Sequence, residues 1–424
     1  MTPPPVRRRQ RLDRRAPVFG ECVVVECSDH RRLAPVLRAL WSDGKGPILL
    51  TVSGGWFLAI GVRIVYPALL PDIMSEFRLE YTGAGFLLSA IWVSYGLVQF
   101  PGGLLADRFG ERAVMFLSML STVGAVLAMI FAPAFAVFVL ASVILGLGTG
   151  IYGTTRVTIL SDVYPNHRTT AVSFSQASGN VGNAVLPVVS GLVAVAFGWR
   201  AGFGYLLPLF FFVVAGVVIY VPDRTSAEPD TGIGPDYVRE LTAAVTTRAT
   251  FAAALVLFFL MLFYQGVTGF LPSYLIEVKG LTQSAASVLY GSFFVAAIAF
   301  QFFSGIVADR LGEPRAITVF SLLGLLSVVS LPFVYSRPAV ILLALGSSAV
   351  LGAIPPAHTH AVALLPEAIQ GSGYGLIRTA YIGLAAASLP LVGAVADAGY
   401  FNYVFFLFGA IVVCAAAISL LISE

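Results

Sequence analysis

Residues 113–155 read AVMFLSMLSTVGAVLAMIFAPAFAVFVLASVILGLGTGIYGTT, 43 positions without an acid or a base. A bilayer core about 30 Å thick is crossed by roughly 20 apolar residues of helix, so this run holds two spans, parted at Ala132-Pro133. The rest of the chain follows the same rule. Apolar residues make up 58% and charged residues 11%, where soluble domains carry roughly 45–50% and about 25%. Most of this surface therefore faces something other than water. Hydropathy and turn chemistry predict spans at 48–70, 82–105, 113–131, 134–160, 171–197, 201–221, 250–275, 283–307, 316–335, 338–365, 372–396 and 400–422. The fold class is all-α integral membrane, with twelve transmembrane helices.

The spans divide evenly. Residues 1–47 form a basic tail in which Leu33, Val36, Leu37, Leu40 and Trp41 share one helical face, suited to lying in the membrane interface. A start codon near Val36 would leave the earlier part of that tail out of the native protein. A first bundle is expected over 48–221, a polar linker over 222–249, and a second bundle over 250–424. With both termini cytoplasmic, 18 Lys and Arg fall on cytoplasmic segments and four (Arg78, Arg200, Lys279, Arg337) on external ones. The excess of inner positive charge fixes that orientation, in a cytoplasmic membrane. Net charge +3 gives no reason to expect nucleic acid. Cys22, Cys27 and His30 lack a fourth ligand, no nucleotide loop or nucleophile–base pair is present, and neither an enzyme nor a cofactor is expected.

The halves also repeat. Gly103-Leu104-Leu105-Ala106-Asp107-Arg108-Phe109-Gly110 after the second span is matched by Gly305-Ile306-Val307-Ala308-Asp309-Arg310-Leu311-Gly312 after the eighth, an offset of 202. Pro71 and Pro272 stand 201 apart, as do Pro165 and Pro366, and Pro187 and Pro390 stand 203 apart. An even repeat of six spans implies two parallel, pseudo-symmetric six-helix bundles, and such proteins hold their substrate near the midplane between the halves.

The doubled segment resembles the signature G-x-L-A-D-R-x-G-R-K of the major facilitator superfamily, with Glu111-Arg112 where R-K is usual. Gly198-Trp199-Arg200 before span six is a weaker mark of the same family. The resemblance covers about 48–423 and implies a monomeric secondary transporter that works by alternating access. It assigns gating to Gly103, Asp107, Arg108, Gly110, Arg112 and Asp162, and to Gly305, Asp309, Arg310 and Gly312 in the second half. A carboxylate at Asp107 or Asp309 would meet the positive N-terminal end of span eleven or span five. Arg112 would pair with Asp162. These contacts would latch the outward-facing state and release in the inward-facing one. The sequence also departs from the family: Ser142 stands where many members carry a span-four arginine, and Leu186-Pro187 stands in place of the drug-antiporter G-P pair.

Arg63, Arg156 and Arg378 fall within predicted spans, and an arginine at the bilayer centre usually faces a cavity or a partner. Arg63, eight residues before Pro71, is placed like the span-one arginine of the superfamily's organic-anion branches, which implies substrate binding; the alternative is snorkelling or a local pair. Arg156 either clamps an anion together with His358 or pairs with Asp162 or Asp107. His358 and His360 are candidates for proton coupling, and each could equally be a packed residue bonded to a carbonyl. Tyr264, Gln265 and Thr268 could bond substrate or merely cap neighbouring helices. Arg378 is expected to snorkel and meet Asp107. Together these features indicate a carrier of a small, anionic solute, driven by protons or a counter-ion. The rivals are an exporter of neutral or hydrophobic compounds and a non-transporting membrane sensor.

Overall fold

The computed structural model describes residues 40, 41, 44–223, 239, 242–366 and 369–422, with the side chains of 100, 103, 104, 107, 371 and 422 outside that description. The tail helix expected over 31–41 (apart from residues 40 and 41), the Cys22, Cys27 and His30 group, most of the linker and the Asp107 carboxylate therefore lie outside the described residues. The described chain is helical and passes back and forth twelve times. Eleven helices are long and apolar enough to cross a membrane. The remaining passage, span two, is split at Val98 into Tyr81–Leu97 and Gln99–Phe109. Pro101 supplies the cause: it has no N–H to continue the backbone ladder through that turn.

Span one (Gly46–Phe77) and span seven (Arg248–Glu277) run beyond their expected ends at residues 70 and 275. Pro71 and Pro272 sit inside the helices, as membrane helices tolerate when neighbours take up the freed groups. Arg78, in the left-handed region at φ 52°, stops span one. Spans three to five are Glu111–Ile130, Phe135–Val163 and Arg168–Phe197. Span eight is Gln283–Leu311, and span eleven is Gln370–Ala387 with Leu389–Asp397. Span ten changes pitch midway, from Arg337–Ser347 through the 3₁₀ turns of Ser348–Ala353 to Ile354–Ala363. Pro355 and Pro356 occupy the first turn of that last piece, where a missing N–H costs nothing.

Span one packs tightest on span five. A Cβ at Gly182 would collide with the Phe57 carbonyl, so only glycine allows this approach. The Tyr66 hydroxyl joins span one to span four through Ser142 at 3.0 Å.

The halves meet at the end that carries loops 78–80 and 398–400, here called the first-loop end. The Asp397 carboxylate accepts the Tyr81 N–H at 2.7 Å, the Thr82 N–H at 2.8 Å and the Thr82 hydroxyl at 2.6 Å. Gln283 donates to Asp72 at 2.6 Å, and the Ser89 hydroxyl donates to the Ala386 carbonyl. Gly393 lies so close to the Tyr81 carbonyl that a side chain there would clash. The first-loop end is thus closed.

Candidate functional site

Several spans turn one polar or aromatic face inward beyond this closure. Trp56, Ile60 and Arg63 come from span one, and Gln176, Asn180 and Asn183 from span five, each set spaced i, i+4, i+7 on a single helical face. Trp92 and Tyr95 (span two), Arg156 (span four), Tyr264 (span seven), His358 (span ten) and Arg378 with Tyr381 (span eleven) complete the polar wall of a cavity of about 420 Å³. That volume suits a small molecule. Among the described residues no aspartate or glutamate lines it.

Arg63 is 2% exposed, so the snorkelling alternative fails. Its guanidinium lies 3.8 Å from the centre of the Tyr95 ring and 4.8 Å from that of Trp92. Its Nε donates to the Ala59 carbonyl at 3.3 Å, while Nη1 is buried without an acceptor. Arg156 stacks 4.0 Å over Trp56 and donates to Ser175 Oγ at 3.1 Å and to Gln176 Oε1 at 2.7 Å. It thus bonds span five rather than Asp162, and its Nε has no acceptor. Arg378 is the arginine expected to meet Asp107, whose carboxylate lies outside the described residues. It reaches into the cavity and donates to the Tyr95 hydroxyl at 3.4 Å, its Nε also buried without an acceptor. Among the described residues none of the three arginines has a carboxylate partner. Ring faces offset part of the desolvation of Arg63 and Arg156, each contact contributing about 0.5–2 kcal/mol, yet these two buried charges and the half-buried Arg378 have no counter-ion among the described residues.

Four other expected site residues divide by helix geometry. His358 lines the cavity, its Nε2 3.3 Å from the Tyr381 hydroxyl and its ring stacked on Tyr381. His360 instead packs among Ala253, Val256, Pro314, Ile317 and Ser419, away from the cavity. Two residues along a helix are turned by roughly 200°, so both histidines cannot face one cavity. Tyr264 lines the cavity, whereas its neighbour Gln265 points aside and donates to the Ile382 carbonyl of span eleven at 3.3 Å. Gln265 is therefore a helix-to-helix tie and not part of the cavity wall. Thr268 likewise bonds back to the Tyr264 carbonyl, 2.5 Å away.

The doubled signature lies at the far end of the bundles from the closure. Gly110 and Gly312, at φ 80° and 87°, make the turns into spans three and nine, which explains glycine at both places. Arg112 turns to the end of span six, bonding the Val218 carbonyl and lying 3.5 Å from Asp223, in place of the expected Asp162. Gly103 and Asp107 are followed here only as backbone of span two, and Gly305 has open space around it. Arg108, Asp309 and Arg310 are exposed, and span five starts at His167 without a side-chain cap.

Sequence reasoning missed Tyr95, Tyr381, the amides of span five and the cavity role of Arg378. A signal existed: Tyr374, Arg378 and Tyr381 are spaced i, i+4, i+7, a polar stripe that only a lumen would need.

Comparison with known proteins agrees with this architecture. A Bacillus subtilis hexuronate transporter is 23% identical over 59% of this chain and 61% of its own length. A cis,cis-muconate transport protein of Acinetobacter baylyi is 26% identical over 84% of this chain and 89% of its own. The drug efflux pump JefA of Mycobacterium tuberculosis is 29% identical over 46% of this chain but only 38% of its own. The chain thus spans less than two thirds of the hexuronate transporter and of the drug pump. Among solved structures, the nucleoside transporter NupG superposes with a TM-score of 0.75 at 14% identity, over 89% of this chain and all of NupG, which shows the fold alone. The sequence model of the Major Facilitator Superfamily matches residues 51–386 and 253–424. With twelve helical passages, a doubled signature and a central cavity, the chain belongs to the major facilitator superfamily, a family of transporters and not of enzymes.

Proposed function

We propose that this protein is a secondary transporter that carries a small anion across the cytoplasmic membrane by alternating access. One observation carries the reading: Arg63, Arg156 and Arg378 line a cavity that holds no acidic side chain among the described residues. Each guanidinium keeps a buried N–H without an acceptor, and an uncompensated buried charge is costly until a counter-charge arrives. A bound carboxylate or phosphate supplies both the charge and the acceptors, and arginine forks suit those groups. Similarity to a hexuronate transporter and a muconate transport protein supports an organic acid. With both termini cytoplasmic, the closed first-loop end is external and the structure is inward-facing. The exposed Asp309 and Arg310 are then a latch in its released position.

A second reading rests on the aromatic wall. Trp56, Trp92, Tyr95 and Tyr264 would also suit an uncharged aromatic compound, as for an exporter, and part of the chain is similar to a drug efflux pump. The two readings separate in a thermal-shift series on purified protein with carboxylates, sugar acids, phosphates, inorganic anions and hydrophobic drugs, comparing wild type with Arg63→Ala. A ligand at a hundred times its Kd stabilises the fold by about 2.7 kcal/mol, a readily measured shift. The anion reading requires an anion that stabilises wild type and not Arg63→Ala. Drugs that stabilise both proteins, with no anion active, would make export the function. Uptake of the same anion into proteoliposomes separates a carrier from a sensor.

A further inference from the structure

Two of the three cavity arginines meet at one side chain. The Arg63 guanidinium of span one stands 3.8 Å from the centre of the Tyr95 ring, and Arg378 of span eleven donates to the Tyr95 hydroxyl at 3.4 Å. Tyr95 belongs to span two. A single phenol thus receives one cation from its own bundle on its ring, and one from the opposite bundle on its oxygen. Arg156 is placed elsewhere. It stacks on Trp56, seven residues (about two helical turns) before Arg63, and is bonded to Ser175 and Gln176.

The pair at Tyr95 is incomplete. Two like charges that share one phenol repel each other, and the hydroxyl offers Arg378 a dipole rather than a counter-charge. Arg63 Nη1 and Arg378 Nε are buried without acceptors, and the cavity wall has no acidic side chain among the described residues. A carboxylate or phosphoryl group set between the guanidiniums supplies both the charge and the acceptors. Resting on the anion reading above, we propose that one anionic group of the substrate binds between Arg63 and Arg378, at the seam of the two bundles. Tyr95 is the positioning residue of that site: its ring carries Arg63, and its hydroxyl fixes Arg378 to the first bundle. The ligand chemistry is one compact oxyanion, carboxylate or phosphoryl. Because the two arginines belong to different bundles, that one group is enough to tie the halves together.

The test measures binding of benzoate, glucuronate, phenyl phosphate and inorganic phosphate to the purified full chain, which separates carboxylates from phosphoryl groups. The probe that binds wild type most tightly is then titrated against the variants. Arg63→Gln, Arg378→Gln and Tyr95→Phe should each weaken it at least fivefold. Because Tyr95 acts on Arg378 through its hydroxyl, the double variant Tyr95→Phe with Arg378→Gln should bind within about twofold of Arg378→Gln alone. Tyr95→Leu, which also removes the ring under Arg63, should bind at least threefold more weakly than Tyr95→Phe. Size-exclusion profiles and unliganded melting temperatures show that each variant is folded. Wild-type affinity in Arg378→Gln or Tyr95→Phe overturns the proposal and leaves the anion reading intact. So does a double variant in which the two losses multiply, for Tyr95 then acts independently of Arg378. If none of the four probes binds wild type, the anion reading fails and this site fails with it.

Discussion

At the scale of single residues, the site depends on how each guanidinium is held. Arg156 makes two hydrogen bonds to span five and stacks on Trp56, which uses the planar fork of arginine and cannot be copied by the point charge of lysine. We expect Arg156→Lys to fold normally and to bind the substrate anion at least tenfold more weakly, about 1.4 kcal/mol, as read by titration of purified protein. An unchanged affinity would reduce Arg156 to a structural tie. The two histidines give a paired expectation. His358→Ala should weaken anion binding because it opens the cavity wall and removes the partner of Tyr381. His360→Ala should change only the melting temperature, since that ring packs against spans seven, nine and twelve. Arg63 and Arg156 were legible in the sequence because a charge in the middle of an apolar run needs a reason. For Gln265 and His360 the sequence left a packing role open beside a site role, and geometry decides between them, since a step of one residue turns a side chain by about 100° and a step of two by roughly 200°. The cavity position of Arg378 was not legible in the sequence. Its distance from the helix end suited snorkelling, and only the register with Tyr374 and Tyr381 spoke for the cavity.

At the scale of elements, the most specific contact is the end of span eleven against the beginning of span two. The first N–H groups of a helix have no intrahelical acceptor, and a carboxylate placed there gains both hydrogen bonds and the favourable end of the helix dipole. Asp397 fills that position from the other bundle, taking the Tyr81 and Thr82 N–H groups and the Thr82 hydroxyl. The sequence suggests the same physics for Asp107 and Asp309 at the opposite end of the bundles; among the described residues Asp397, with Asp72 beside it, is engaged across the halves at the first-loop end. We expect Asp397→Ala to favour the state open at the first-loop end. In a background without Cys22, Cys27 and Cys414, a cysteine placed at Ile60 in the cavity wall should then react several-fold faster with an impermeant reagent from that side. No change in rate would mean that Gly393, Gly85 and the apolar contacts hold the gate without help. The twelve spans themselves were legible because an apolar run must be a helix to satisfy its backbone in lipid. The break at Val98 was not, because whether Pro101 kinks a helix or merely bends it is decided by the neighbours that receive the freed groups. The extension of span one beyond Pro71 has the same origin.

At the scale of the whole molecule, the pseudo-symmetry was legible from an offset that stays near 202, but the asymmetry that gives function was not. Two in-span arginines lie in the first half and one in the second. The convergence of Arg63 and Arg378 on Tyr95 depends on how spans one, two and eleven pack, which no local pattern encodes. That convergence bears on coupling. To change the side it faces, the carrier must pass through a state closed at both ends, with the cavity cut off from water. Empty, that state would enclose three guanidiniums without a counter-ion. Occupied by an anion, the same state is compensated, because attraction in a low-dielectric interior is strong when the partners are in contact. The empty carrier should therefore cross slowly and the loaded carrier quickly, so that movement of one anion inward requires another outward. We expect proteoliposomes preloaded with the substrate anion to take up the labelled anion at least five-fold faster than empty vesicles. In Arg378→Gln the ratio should shrink, because one enclosed charge has been removed and the empty return becomes easier. Equal uptake into loaded and empty vesicles, driven instead by an imposed proton gradient, would show that a proton compensates the cavity and that His358, the titratable imidazole in its wall, is the group to test next.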